Sequence, residues 1–355
     1  MEGNLKMKKI LTTLCAVAML AGCTAGGSKK SSTNTASTKE ETAATVMVGT
    51  GSVTNVSNKT KEGSDTAAQF DTTFASVVLE GNVIKYVYFD VAQDKVTYDA
   101  TGHVTSDNTV STSKKALGDK YGMKDKSSIK KEWYEQVEAL EKWAVGKTVE
   151  EVLNMPTTQK DEKHTVSADK DLMTGCTIGV TAFQQALDKA AKNAVEVKDV
   201  ASVGSAILTQ VSGKDASAEK SGEAKASSTY GVVALDKDGK VVFTQTDVAQ
   251  NAVKFTTAGV VDGEAVAIAT KGEKKDEYGM KKVSSIGKEW FEQNQAYDDW
   301  AVGKTGKEIA DMKVTTNEGG KTVTADKDLM TGCTIGVDSL QKVTTTAIEA
   351  ATKLN

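Results

Sequence analysis

The sequence has few of the residues on which most binding and catalytic chemistry depends. Its 355 residues include no arginine, one proline and two histidines. Without arginine, a phosphate group must be bound by lysines, hydroxyls or backbone N–H groups. Neither His103 nor His164 has a histidine counterpart in the other half of the chain. This argues against histidine-based nucleophilic or metal chemistry, and we expect both to be exposed loop residues.

The charge balance gives no support to one class of partner. The formal net charge is −4 and the pI is about 5.5, which gives no argument for nucleic acid as a partner. The apolar content of 39% is low for one large globule and suits two small domains with polar connections.

The N-terminus predicts export and lipid anchoring. Basic residues at Lys6, Lys8 and Lys9 precede an apolar run that ends in Leu-Ala-Gly-Cys at Cys23. Residues 1–22 therefore read as a signal peptide, and the four-residue ending resembles the lipobox of bacterial lipoproteins. That resemblance implies cleavage before Cys23 and a diacylglycerol group on its sulfur, at the outer face of the cell membrane. A plain secretory signal with a chance cysteine is the alternative. Residues 23–66, rich in Ser, Thr and Lys, are predicted to be a flexible tether.

The rest of the chain contains two copies of one domain. Tyr121-Gly122-Met123-Lys124 returns as Tyr278-Gly279-Met280-Lys281, and the shift of 157 positions holds from Asp90 to Thr177. A period of this length indicates a duplicated domain. We place the first copy at 67–211, a polar linker at 212–228 and the second copy at 229–355.

Each copy is predicted to be α+β, with an antiparallel sheet and packed helices. In the first copy, β-branched and aromatic residues at 74–79, 83–91 and 95–98 indicate strands. Helical spacing predicts a helix at 128–144 that begins at Ser127 or Ser128, and further helices at 148–153 and 182–194. The second copy predicts strands at 231–235 and 241–248.

One peptide stays identical while its surroundings differ. Asp-Leu-Met-Thr-Gly-Cys-Thr-Ile-Gly-Val occupies both 171–180 and 328–337. It contains a glycine that allows close approach of the backbone, at Gly175 and Gly332, and hydroxyls that could contact an anion. A phosphate-binding loop is one interpretation. A helix N-cap followed by a tight turn is the other.

The peptide resembles the Asp-x-x-(Thr/Ser)-Gly-Ala-Thr motif of FMN-binding domains, such as those in the flavin subunits of sodium-pumping quinone oxidoreductases. The matching residues are Asp171, Thr174, Gly175, Cys176 and Thr177, and again Asp328, Thr331, Gly332, Cys333 and Thr334. Both copies carry Cys where the family has Ala. The rest of each copy also resembles the two-domain flavin lipoproteins that serve extracellular electron transfer in Gram-positive bacteria. This resemblance covers about residues 70–195 and 225–352.

The resemblance implies two FMN groups, each joined through its phosphate to the last threonine of the motif by a flavin transferase. Asp171 and Asp328 would belong to the motif that the transferase recognises. The aromatic and methionine side chains of each copy would pack near the flavin ring or, alternatively, form ordinary core. These residues are Tyr121, Met123 and Trp133 in the first copy, and Tyr278, Met280 and Trp290 in the second.

The cysteines of the motif allow a different interpretation. Cys176 and Cys333 could form a redox thiol pair or a disulfide between the domains. No Cys-x-x-Cys spacing supports a metal or thioredoxin-like site, and a structural role for a small residue is the other possibility.

The expected function is a membrane-anchored carrier rather than a stand-alone enzyme. Electrons would pass from a membrane quinone-linked or NADH-linked reductase, through FMN, to extracellular acceptors such as ferric iron. Two rival hypotheses are a module that binds flavin or another phosphate ligand reversibly, and a structural surface lipoprotein.

Overall fold

Long strands of alternating small and β-branched residues build two antiparallel sheets, one from each copy. In a computed structural model of the chain, the residues described are 45–59, 65–107, 109–162 and 164–354. The predicted signal peptide, Cys23 and the start of the tether lie outside them. None of the described helices is long and apolar enough to span a membrane.

Among its described residues, the first copy has seven strands, five α-helices and a short 3₁₀ helix at Gly118–Tyr121. The strands are β1 (Val46–Lys59), β2 (Thr66–Glu80), β3 (Val83–Tyr98), β4 (Val110–Ser111), β5 (Thr157–Asp161), β6 (His164–Ser167) and β7 (Val195–Val197). The helices are α1 (Lys114–Leu117), α2 (Trp133–Ala144), α3 (Val149–Leu153), α4 (Lys170–Met173) and α5 (Thr181–Lys192).

The described part of the second copy repeats this order without a counterpart of β4, and it has a 3₁₀ helix at Lys275–Tyr278. The strands are β8 (Ser202–Lys214), β9 (Gly222–Leu235), β10 (Val241–Phe255), β11 (Val314–Thr316), β12 (Thr322–Thr324) and β13 (Thr352–Lys353). The helices are α6 (Lys271–Lys274), α7 (Trp290–Ala301), α8 (Gly306–Ala310), α9 (Lys327–Met330) and α10 (Asp338–Glu349). The predicted α+β class with antiparallel sheets and packed helices is confirmed.

The two main sheets have the same topology. The first has the strand order β3-β2-β1-β7, and the second has β10-β9-β8-β13, with all neighbours antiparallel. Strand β4 of the first copy crosses over and pairs with β8 of the second sheet. The small hairpins β5–β6 and β11–β12 stand apart as matching two-stranded sheets.

The faces of each sheet have different neighbours, as the alternation of side chains in a strand requires. On β2, Ala75 and Val77 pack against helices of the same copy, whereas Val78 contacts residues of the second sheet. The chain therefore forms four layers, in the order helix, sheet, sheet, helix. Equivalent aromatic residues meet between the sheets. Tyr98 stacks on Phe255 with ring centroids 3.8 Å apart and an interplanar angle of 4°.

The boundaries of the copies differ from the prediction. Residues 46–59 of the predicted tether form β1, which pairs with β2 along its length. The predicted linker 212–228 contains the end of β8 and the start of β9, joined as a hairpin. The copies thus run from Val46 to Val197 and from Ser202 to Lys353. Both missed strands are rich in Ser, Thr, Gly and Lys, a composition that is also typical of linkers.

The start of helix α2 also differs. Lys130 has a φ of 53°, in the left-handed region, so the chain cannot be helical from Ser128 onward. The helix begins at Trp133, with Glu132 as its N-cap in a capping box with Glu135. The predicted helices at 148–153 and 182–194 correspond to α3, capped by Thr148, and to α5.

Candidate functional site

The repeated peptide joins a one-turn helix to a long one. In the first copy, the Asp169 side chain accepts hydrogen bonds from the N–H groups of Asp171 and Leu172, at 3.1 and 2.9 Å, and so starts α4. Leu172 is buried and anchors this turn in the core. The side chain of Asp171 is left exposed, as is that of Asp328 in the second copy. These carboxylates are therefore accessible to another macromolecule.

The middle of the peptide is shaped by packing. The hydroxyl of Thr174 donates to the carbonyl oxygen of Asp171 at 2.8 Å, and Thr331 does the same to Asp328 at 3.0 Å. A side chain at Gly175 would bring its Cβ within 2.7 Å of Cβ of Ala139 on α2. The glycine is thus explained by close contact with α2, whereas the sequence had indicated close contact with a ligand.

The two cysteines of the peptide are buried and free. Cys176 packs among the helices of the first copy, and Cys333 packs in a separate cluster of the second. Burial raises the pKa of each thiol to about 11, despite nearby lysines that lower it at Cys176. The thiols are therefore protonated near neutral pH, and the structure contains no disulfide between them. These observations favour the role of a small core residue.

The threonine that ends the motif is held by a buried glutamine. The N–H and the hydroxyl of Thr177 both donate to Oε1 of Gln136, at 2.9 and 3.1 Å. Thr334 makes the same two bonds with Gln293, at 2.8 and 3.1 Å. Both threonines are half-buried, whereas the glutamines are no more than 1% exposed. Each hydroxyl is consequently fixed in direction while its outer side remains accessible.

The amide nitrogen of each glutamine reaches the Tyr-Gly-Met-Lys loop. Nε2 of Gln136 donates to Oγ of Ser127 at 3.1 Å and to the carbonyl oxygen of Lys131 at 3.1 Å, and it contacts the sulfur of Met123 at 3.5 Å. Gln293 makes the equivalent contacts. Both the oxygen and the nitrogen of each buried side-chain amide are therefore hydrogen-bonded, as a buried amide requires. The glutamines were missed because they lie inside a helix pattern, although they are identical in both copies.

A buried carboxylate fixes the same loop. Glu132 accepts from the N–H groups of Met123 and Lys124, at 2.8 and 3.0 Å. Burial alone would raise the pKa of Glu132, but these two N–H groups and that of Trp133 outweigh it and lower the pKa. Glu289 holds Met280 and Lys281 at the same distances. The sequence-predicted methionines are thus brought to the glutamine and, through it, to the threonine.

An aromatic pair with a lysine borders each site. The rings of Tyr121 and Trp133 are 6.3 Å apart, and Nζ of Lys114 lies 5.2 and 5.6 Å from their centroids. The tryptophan is 3% exposed and belongs to the core, whereas the tyrosine is half-buried. This placement fits the core interpretation for the tryptophan and leaves part of the tyrosine accessible.

The second copy has the same arrangement, formed by Tyr278, Trp290 and Lys271. Burial and the neighbouring charge of Lys321 lower the pKa of Lys271 to about 8. A lysine that is partly desolvated and repelled by another cation is stabilised by a nearby anion.

Positive charge also lies beside the peptide itself. A Cβ at Gly175 would be 3.7 Å from Nζ of Lys131, and Nζ of Lys160 donates to the carbonyl oxygen of Thr177 at 3.0 Å. In the second copy Lys288 replaces Lys131, but Asn317 occupies the position of Lys160. An anionic group on the threonine would thus have one lysine near it in both copies, and a second in the first copy.

Neither histidine bonds the motif threonine, although a Cβ at Gly179 of the first peptide would lie 3.6 Å from the ring of His164. His103 pairs with Asp215 at 3.2 Å and His164 with Asp161 at 2.7 Å, and both are exposed. His103 is in a turn, as expected, whereas His164 is the exposed first residue of strand β6 and not a loop residue. Within the described ranges, no group of His, Cys, Asp and Glu side chains could hold a metal ion.

Comparison with known proteins adds no relative to this description. No protein-family model matches the chain, and no curated protein or solved structure matches it either.

Proposed function

We propose that the protein is a membrane-anchored extracellular electron carrier with two FMN groups, esterified through their phosphates to Thr177 and Thr334. The observation that carries the proposal is the pair of matching hydroxyls, each directed by a buried glutamine within an identical peptide. A structural spacer would not need identical polar bonds at two places whose surroundings differ.

The residues around each threonine fit such a group. A phosphoester oxygen no longer donates a hydrogen bond, but Gln136 would keep the N–H of Thr177 as a partner. Lys131 and Lys288 would lie near the phosphate charge, where lysine, hydroxyl and N–H groups are the donors that this arginine-free chain offers. Tyr121 and Tyr278 would offer partly exposed aromatic surface to the flavin ring.

The bound flavin would accept and donate electrons, and the protein would set its position and surroundings. Lys114 and Lys271, above the aromatic pairs, would place a positive charge beside it. A covalent bond suits a carrier outside the cell, because a dissociated cofactor would be lost by diffusion.

The partners follow from the same resemblance. A flavin transferase would recognise the exposed Asp171 and Asp328. A membrane quinone-linked or NADH-linked reductase would supply electrons, and acceptors such as ferric iron would take them. The signal peptide would direct export and be removed, and the lipidated Cys23 would hold the carrier at the outer face of the membrane.

Mass and colour test the proposal directly. Protein from its native host, or from cells that supply a flavin transferase, should stay yellow after denaturation and carry the mass of two FMN groups. Thr177→Ala and Thr334→Ala should each remove one group, and the double variant should carry none. Thr181→Ala, which removes an exposed hydroxyl four residues further along, is the matched control and should keep both.

Two results would contradict the proposal. Colour lost on denaturation would instead support a module that binds flavin reversibly. Covalent flavin retained in the double variant would disprove the assignment of the threonines.

A further inference from the structure

The first copy has a buried ion pair, and the second copy has its carboxylate but not its cation. In the first copy, Nζ of Lys115 bonds both carboxylate oxygens of Glu141, at 2.7 and 2.9 Å, and lies 3.8 Å from the ring centroid of Tyr88. The two charged side chains are only 13% and 14% exposed. The positions equivalent to Lys115 and Glu141 are Gly272 and Asp298.

The surrounding backbone is the same in both copies. Glu141 accepts from the N–H of Phe89 at 2.6 Å, and Asp298 accepts from that of the equivalent Thr246 at 3.1 Å. The N–H of Lys115 donates to Asp90 at 3.0 Å, and that of Gly272 donates to Asp247 at 2.8 Å. The difference is therefore confined to side chains: the carboxylate remains, and the ammonium group does not.

The missing side chains leave a cleft of about 190 Å³. Gln245 replaces Tyr88 and Gly272 replaces Lys115, so an aromatic ring and a lysine side chain no longer fill this space. Asp298 lies in its wall, is 4% exposed and has no salt bridge with any described residue. It is held by the hydroxyl of Thr246 at 2.8 Å and by the side-chain amide of Asn294 at 3.3 Å.

The charges that face the cleft favour a cation. Its lining includes three carboxyl groups, those of Asp247, Glu273 and Asp298, and one lysine, Lys275. Glu273 is already paired with Lys189 at 2.6 Å, and Nζ of Lys275 lies 4.7 Å from the ring centroid of Phe291. Asp298 is thus the carboxylate that lacks the ion pair its counterpart has.

We propose that this cleft binds a small cation with N–H donors, an ammonium ion or a primary alkylammonium, in the place that Nζ of Lys115 takes in the first copy. The cation would bond the Asp298 carboxylate and replace the proton that burial, by raising the pKa of Asp298, otherwise keeps on it. The cleft is open to solvent and large enough for an ion with a short alkyl group, since a water molecule takes about 30 Å³. This site does not depend on the flavin.

Thermal unfolding of the full chain in different salts tests the proposal. Methylammonium or ammonium chloride should raise the Tm by about 2–4 °C over tetramethylammonium chloride at equal ionic strength and pH. Tetramethylammonium carries the same charge but has no N–H group to donate. The increase should disappear in Asp298→Asn and persist in Asp299→Asn, which changes the exposed neighbouring carboxylate.

The first copy supplies an independent test. Lys115→Gly would place at this position the residue that the second copy has there, and methylammonium should restore part of the Tm that this variant loses. Equal Tm values in all the salts, or an equal response in Asp298→Asn, would overturn the proposal and leave a cleft that holds only water. An equal response to potassium would disprove the requirement for N–H donors.

Discussion

The two copies agree where they hold the motif threonine and differ about one and a half turns further along the same helix. Gln136 and Gln293 make the same bonds to within about a tenth of an ångström. Five residues later, Glu141 has a lysine partner and Asp298 does not. On α2 and α7, the face with Gln136 or Gln293 therefore makes the same polar contacts in both copies, whereas the face with Glu141 or Asp298 has an ion pair in the first copy only. The bonds to the motif threonine are the same in both copies, and so is the bond from the strand N–H to the carboxylate, whereas the ion pair is present in the first copy alone.

The largest expected effect comes from making the first copy lose its cation. Lys115→Met should lower the free energy of unfolding by about 3 kcal/mol, because Glu141 would remain buried without a partner. Burial already raises the pKa of Glu141, and the lysine lowers it, so the variant should raise that pKa further. The folded variant would then bind more protons than the unfolded chain, and its loss should be greater at pH 8 than at pH 5. Denaturant titrations at both values measure this. Lys192→Met, in an exposed pair with Asp188, is the control and should cost less than about 1 kcal/mol.

In the second copy, removing the charge of the buried carboxylate by Asp298→Asn should stabilise the protein, whereas Lys115→Met destabilises it. Burial raises the pKa of Asp298 well above its ordinary value of 3.8. The folded state therefore holds a proton that the unfolded state releases, and stability falls as the pH rises from 3.8 through the raised pKa. Asp298→Asn removes this dependence, so its gain in Tm, measured without ammonium salts, should increase with pH. If Asp298→Asn had a lower Tm than the unchanged protein at alkaline pH, this prediction would be contradicted.

A smaller effect, equal in both copies, is expected at the glutamines. Gln136→Leu or Gln293→Leu should each lower the free energy of unfolding by about 2 kcal/mol, since buried N–H and hydroxyl groups would lose their partners. Urea unfolding measures the two losses. Gln295→Leu, an exposed residue on α7, is the control. Losses that differ by more than about twofold between the copies would show that the shared geometry is not equally supported.

The smallest effect concerns two positions at which the copies exchange glycine for lysine. Lys130 and Lys275 have φ values of 53° and 48°, and their counterparts Gly287 and Gly118 have 62° and 53°. Lys130→Gly and Lys275→Gly should each stabilise the protein by about 1 kcal/mol, because a Cβ is unfavourable in this conformation. Gly287→Lys should destabilise it by a similar amount. Thermal unfolding of the variants tests both signs, and a loss of Tm in either glycine variant would contradict the assigned backbone strain.

Much of the fold could be predicted from local pattern. Strands β2, β3 and β10 contain β-branched and aromatic residues, and α5 has helical spacing. Strands β1 and β8 could not be found in this way, because their inner faces are lined by small residues. At Gly49 and Gly204 a Cβ would meet the carbonyl oxygen of Ala190 or Ala347 at under 2.5 Å, so only glycine allows the helix to lie this close. A contact between distant segments sets this requirement, and the sequence around each glycine carries no sign of it.

The site was predicted in part. The peptide itself was identified because it is identical in both copies, and the structure brings Met123 to it through Gln136. The glutamine was not identified, because a polar residue at a buried helical position looks like an exposed one until its partners are known. The predictions of a linker at 212–228 and of a flexible tether at 46–59 were wrong for a similar reason. Polar strands that pair with neighbouring strands have the same composition as loops.

The stacked pair of Tyr98 and Phe255 has a consequence for how the molecule could have arisen. Equivalent residues that meet face to face are the mark of a twofold-symmetric dimer. The chain is in effect such a dimer with its subunits fused, so their association is no longer limited by concentration. Fusion also frees each half of the interface to change independently, which a homodimer encoded by one gene cannot do. Tyr98 facing Phe255, and Lys115 in the first copy where the second has Gly272, are the kinds of asymmetry that this freedom permits.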